Sequence, residues 1–196
     1  MKHILVFGSH GRSIKLFRMD LIKFLVLKGY RVSVLIPEIE ADSKSELRDL
    51  GVIVYEIPFL RNKINIFSDI LLFTKLVLLF RRIKPDIVLT YTIKPNIWGC
   101  YACFVTRIRC VQMVTGVGTV FYSERKSLGS ILIKSFVVNL YRLSTNFSSG
   151  IIFQNLDDWK LFERLGILRN ARAIHQINGS GVNLSLIHIS EPTRRT

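Results

Sequence analysis

Short apolar runs alternate with helix-periodic segments along most of the chain, and this alternation constrains the fold more than any other feature. HILVF, residues 3–7, stops at Gly8 and reads as a buried strand. From Ile14 to Lys28 the residues Leu16, Phe17, Leu21, Phe24 and Leu25 recur at helical spacing. Ser13 is placed as the N-cap, and Gly29 stops the helix. A strand over 32–36 then ends at Pro37. The same grammar predicts helices over 43–50, 67–83, 96–106, 128–147 and 155–165. It predicts strands over 52–57, 86–90, 110–114, 150–153 and 171–177. Strict alternation implies parallel strands joined by helical crossovers: an α/β, doubly wound, mostly parallel Rossmann-like sheet. The strands are near-continuous apolar runs, as expected of strands covered on both faces.

Charge narrows the partners. Lys plus Arg number 28 against 14 Asp plus Glu, a formal net charge of +14. That excess favours anionic partners: nucleic acid, acidic headgroups or phosphate-bearing ligands. No recognition-helix motif or RNP-like aromatic set accompanies it, so nucleic acid is not expected. The 66–80 stretch is interrupted by Asp69 and Lys75 and is too short to span a bilayer. The opening MKHILVFGSHG does not read as a signal peptide. Arg61, Lys63, Lys75, Arg81 and Arg82 beside that apolar segment suit either an anionic lipid surface or a solvated helix face. Cys100, Cys103 and Cys110 fall in apolar runs and are expected to be buried structural thiols. The four histidines are scattered, and no metal-ligand spacing appears.

In such a sheet, ligands gather beyond the carboxyl ends of the strands. Gly8, His10, Gly11, Arg12 and Ser13 form a loop opening the first helix. A phosphate or sugar contact and a tight strand-to-helix turn explain that loop equally well. It is not a dinucleotide fingerprint, because position 14 is Ile. Thr92, Lys94 and Asn96 follow the fourth strand; Lys94 reads as a cation aimed at the strand ends or as a solvated lysine. Thr115, Gly116 and Gly118 follow the fifth strand, with more glycine than a bend requires. Asn155 follows the sixth, and Asn178, Gly179, Ser180 and Gly181 follow the last.

Taken together, TYTIKPN, INGSGVN, VTGVGTVF, KPDIVLTYTIKPNIWG and IIFQNLDDWKLFERLGI resemble bacterial family-four retaining glycosyltransferases of the GT-B fold. The likeness is greatest to enzymes that extend sugars on undecaprenyl diphosphate for O-antigen, capsule or N-glycan precursors. It covers residues 2 to about 183, with TYTIKPN and INGSGVN the specific motifs. It implies two Rossmann-like domains, the first holding a lipid-linked saccharide acceptor and the second a nucleotide sugar, here UDP-linked. It implies no metal and no cofactor, and a site at the cytoplasmic face of the inner membrane, peripheral on an anionic surface. Gly8–Ser13 maps near the donor diphosphate, and Thr115–Gly118 near the transferred sugar. Where relatives carry a catalytic-face histidine, this chain has Thr or Gly, so no catalytic residue is assigned.

Residues 184–194, LSLIHISEPTR, have no family counterpart and resemble translated transposon adaptor sequence. The expected organisation is therefore an acceptor-side domain over 1–183, a non-native disordered tail over 184–196, and a donor domain lying outside the chain. Such a piece is expected to be inactive alone. The alternative is a non-catalytic subunit that docks on membranes and pairs with a separate donor-domain protein.

Overall fold

In a computed structural model, the described residues are 1–60, 65–117, 121 and 128–179. Seven strands form one sheet: β1 (His3–Phe7), β2 (Arg31–Ile36), β3 (Ile53–Glu56), β4 (Ile87–Tyr91), β5 (Arg109–Val114), β6 (Gly150–Phe153) and β7 (Ile174–Gln176). All neighbours pair in parallel, in the order β3-β2-β1-β4-β5-β6-β7. The expected α/β doubly wound sheet is present.

Right-handed crossovers fix which face each helix covers. The connections from β1 to β2 and from β2 to β3 run one way along the sheet. They carry α1 (Arg12–Phe17), α2 (Met19–Leu27) and α3 (Ala41–Asp49). The remaining connections run the other way and carry α4 (Ile66–Ile83), α5 (Cys100–Thr106), α6 (Leu128–Phe147) and α7 (Leu156–Arg164). Strand residues alternate accordingly. Val6, Val34 and Ile36 pack with Ile14, Ile22 and Leu47. Leu5, Phe7 and Val88 pack with Leu72, Leu76 and Phe80. Ile151 and Phe153 pack with Val138, Tyr141 and Phe162 on α6 and α7. Cys100, Cys103 and Cys110 are fully buried in the second of these cores. The Cys100 thiol is pushed up first by its hydrogen bond to Cys110, and Cys103 first by burial. Both are structural thiols.

Three local departures from the sequence grammar matter. The helix expected over 14–28 breaks at Arg18, giving α1 and α2. Ser13 is not a cap: Gly11 holds that position, and Ser13 lies inside α1. The segment read as one helix over 96–106 begins as a π-helical turn, Pro95–Gly99, before α5.

Each crossover helix runs back against the strands, so its first turn lies at the carboxyl edge of the sheet. For α4 this puts Ile66, Phe67, Ile70 and Leu71, all exposed, at that edge. Arg81 and Arg82 sit at the far end, about 20 Å along the axis at 1.5 Å per residue. No described helix is long and apolar enough to cross a membrane.

Candidate functional site

Strand order reverses between β1 and β4, and the crevice beyond their carboxyl ends is the natural binding place in an open parallel sheet. The loops GSHGRS and YTIKPN meet there. Thr92 Oγ1 donates to Ser9 Oγ at 2.8 Å, and Ser13 Oγ lies 3.0 Å from Tyr91 Oη. Thr92 has φ +72°, a left-handed backbone that β-branched residues rarely adopt and that costs about 1–3 kcal/mol. Strain of that kind persists only where neighbours enforce it, and it concentrates at functional sites.

Beneath the crevice, the Tyr91 ring fills the space a side chain at Gly8 would need: a Cβ there would sit 2.0 Å from Tyr91 Cζ. The Arg18 guanidinium lies over the same ring, 4.8 Å from its centroid. Both groups are buried; burial lowers the Arg18 pKa and raises that of the Tyr91 phenol. Together they form a rigid floor.

The amides of the first three residues of α1 are spent within the loop. Arg12 N donates to His10 Nδ1 at 3.3 Å, Ser13 N to His10 O at 3.2 Å, and Ile14 N to Gly11 O at 2.9 Å. A Cβ on Gly11 would come within 2.4 Å of Glu38 O. Internal packing thus accounts for both glycines, and the tight-turn reading of this loop describes its geometry. Beside it opens a cavity of about 240 Å³, lined by His10, Gly11, Arg12, Glu38, Ile39 and Glu40. Arg12 Nε lies 3.5 Å from Glu40 Oε1.

Two residues expected in the cleft have structural roles instead. Lys94 is not solvated. It is buried and donates to Asp69 Oδ1 at 2.6 Å, which ties the π-helical turn to the first turn of α4. Asn96 is fully buried, and both hydrogens of its amide are spent inside the protein. Its Oδ1 accepts from Thr90 Oγ1 at 2.7 Å. Its Nδ2 donates to Met113 O at 3.0 Å and to Tyr141 Oη at 2.6 Å. Gln112 Nε2 donates to the Asn96 carbonyl at 2.8 Å, drawing that carbonyl into a side-chain bond where the helix widens.

Asn155 caps α7: its Oδ1 accepts from Asp158 N at 2.7 Å, and its Nδ2 donates to Asp158 Oδ2 at 2.8 Å. Thr115 is half-buried and Gly116 exposed with φ +138° after β5, while Gly118 lies outside the described residues. Asn178 and Gly179 are exposed after β7; Ser180 and Gly181, like Arg61, Lys63 and the 184–196 tail, lie outside the described residues. Three strand spacings, about 14 Å, separate β7 from β4, so Asn178 does not join the crevice. Sequence reasoning passed over Arg18, Glu38, Ile39, Glu40 and Asp69. The position of PEIE just past β2 was the available signal for three of these.

No group of three or more His, Cys, Asp or Glu side chains among the described residues is arranged to hold a metal. Residues 3–155 match the family described as glycosyl transferase 4-like. The chain belongs to that family.

Among curated relatives, it is similar to the N,N'-diacetylbacillosaminyl-diphospho-undecaprenol alpha-1,3-N-acetylgalactosaminyltransferase of Campylobacter jejuni. Identity is 34% over 183 residues, covering 91% of this chain and 46% of that protein. Among solved structures, Anabaena HepE in complex with UDP superposes with TM-score 0.60 at 21% identity, covering 95% of this chain and 46% of that one. A UDP-N-acetylglucosamine 2-epimerase reaches TM-score 0.53 at 16% identity, covering 84% and 44%. These structural likenesses carry the fold. The glycosyl transferase 4-like chain spans about half the length of the curated relative it matches.

Proposed function

We propose that this chain is the acceptor-side half of an enzyme that transfers a sugar from a nucleotide sugar, UDP-linked, to a polyprenyl-diphosphate-linked saccharide. The transfer retains anomeric configuration and serves bacterial surface-polysaccharide or glycan assembly. The supporting observation is the 34% identity, over 91% of the chain, to a relative whose name carries a diphospho-undecaprenol acceptor. In this reading residues 1–183 form the acceptor domain, 184–196 are foreign to it, and the donor sugar is held mainly by a domain beyond this chain. Gly8–Ser13 and Thr115–Gly118 then border the donor when that domain closes over the crevice.

The protein works, in this reading, peripherally on the cytoplasmic face of the cell membrane. Apolar side chains at the carboxyl edge favour that arrangement. Ile66, Phe67, Ile70 and Leu71 on α4, with Ile131 and Leu132 on α6, are exposed in the first two turns of two helices on the same face. They flank the edge where the crevice opens, so a membrane met there would present the acceptor to the site. The net charge of +14 adds attraction to anionic headgroups.

Flotation tests the reading. The chain is expected to co-float more strongly with vesicles carrying a polyprenyl-diphosphate-linked disaccharide than with the same vesicles lacking it. Equal flotation would remove the acceptor role. Sugar transfer from a UDP-sugar by residues 1–196 is expected to be negligible, and measurable turnover would overturn the half-site reading.

A further inference from the structure

The cavity beside the glycine loop has a chemistry the crevice does not. Its polar lining is dominated by two exposed carboxylates, Glu38 and Glu40, on the segment that leaves β2. Its one permanent cation, Arg12, is already engaged by Glu40 at 3.5 Å. The first three amides of α1 point to partners within the loop. An anion entering here would meet two carboxylates against one guanidinium, with the first three amides of α1 already engaged, so phosphate is disfavoured. A hydrocarbon chain would leave both carboxylates desolvated, so lipid is disfavoured as well.

A neutral polyol fits. Carboxylate oxygens accept from paired hydroxyls, and the Arg12 guanidinium donates to others. His10 Nδ1 accepts from Arg12 N, which puts the neutral ring's proton on Nε2 and makes that nitrogen a donor. Gly11 and Ile39 supply flat apolar surface for the face of a ring. At about 240 Å³ the cavity is below the ~300 Å³ at which drug-sized pockets begin, and suits a single sugar ring.

We infer that the cavity between His10–Arg12 and Glu38–Glu40 is a subsite for one uncharged sugar ring, recognised through its hydroxyl pair by the two glutamates. This deepens the acceptor reading above, and depends on it only for what carries the sugar. It separates the saccharide from the diphosphate, which must lie elsewhere along the carboxyl edge.

The test is amide-shift mapping on the whole chain with methyl glycosides of a neutral hexose and an N-acetylhexosamine, at up to about 50 mM because single-sugar Kd values fall in the millimolar range. Saturable shifts are expected to cluster at residues 10–12 and 38–40, and to weaken at least tenfold in Glu38→Ala/Glu40→Ala. Glu38→Gln, which keeps the shape and loses the charge, should fall between the two. Both glutamates are exposed, so the variants are expected to fold, and their unchanged amide spectra elsewhere would establish it. Inorganic diphosphate should neither shift these amides nor displace the sugar. The inference fails if wild-type shifts are absent or scattered, if the double variant binds as well as wild type, or if diphosphate competes. Sugar binding here without acceptor-dependent flotation would sink the acceptor reading and leave the subsite. Flotation without sugar binding here would do the reverse.

Discussion

Asn96 shows how a polar residue at a strand end can belong to the core. Its amide completes three hydrogen bonds to Thr90, Met113 and Tyr141 with no water needed. Asn96→Ala would leave those partners unsatisfied at about 1–3 kcal/mol each, partly offset by relaxation, for a net loss of about 3–5 kcal/mol. Urea unfolding of the two proteins measures it, and a loss below about 1 kcal/mol would mean the network is not holding. From sequence, an Asn two residues past a Lys in a loop looks like a ligand contact, because side-chain direction is invisible there. Gly8 was legible as a close-approach position, but what approaches it is Tyr91, a partner 83 residues away that no local pattern announces. Glu38 and Glu40 were overlooked because exposed glutamates are common; only the cavity distinguishes them.

At the scale of elements, crossover order and strand identity follow from alternation alone, and every predicted strand is found within a few residues. What alternation hides is where a helix departs from ideal geometry. The π-helical turn arises because Gln112, on a neighbouring strand, takes the Asn96 carbonyl. The Lys94–Asp69 pair then joins that turn to α4. Removing one partner strands a buried charge, so Lys94→Met or Asp69→Leu alone should cost about 3–5 kcal/mol. The double variant, with both charges gone, should cost clearly less than the sum, and a double-mutant cycle in urea reads the coupling. Additive losses would show that the two side chains do not act as a pair. Because α4 begins with the exposed apolar turn, this pair also sets where that turn stands relative to the crevice.

For the whole molecule, charge and apolar surface point to opposite ends of α4, and magnitudes decide which would govern the membrane contact proposed above. Burying one exposed Phe or Leu gives about 1.5–3 kcal/mol, more than tenfold in binding. A cation near an anionic surface gives about 1 kcal/mol, and that falls away within a Debye length. With the carboxyl edge down, Arg81 and Arg82 lie beyond that length. Phe67→Ser with Leu132→Ser is therefore expected to lower flotation on anionic vesicles at least tenfold, and Arg81→Gln with Arg82→Gln less than twofold. The opposite ranking would lay the helix with its basic end on the membrane. The central position of β1 also sets a timetable. It pairs with residues 31–35 on one side but waits for residues 87–90 on the other. At ~5–20 residues per second on the ribosome, that is a wait of several seconds, with a strand buried along its whole length in the fold open along one edge. The first strand made waits longest for its second neighbour, so the newborn chain is most exposed to misassembly before β4 emerges.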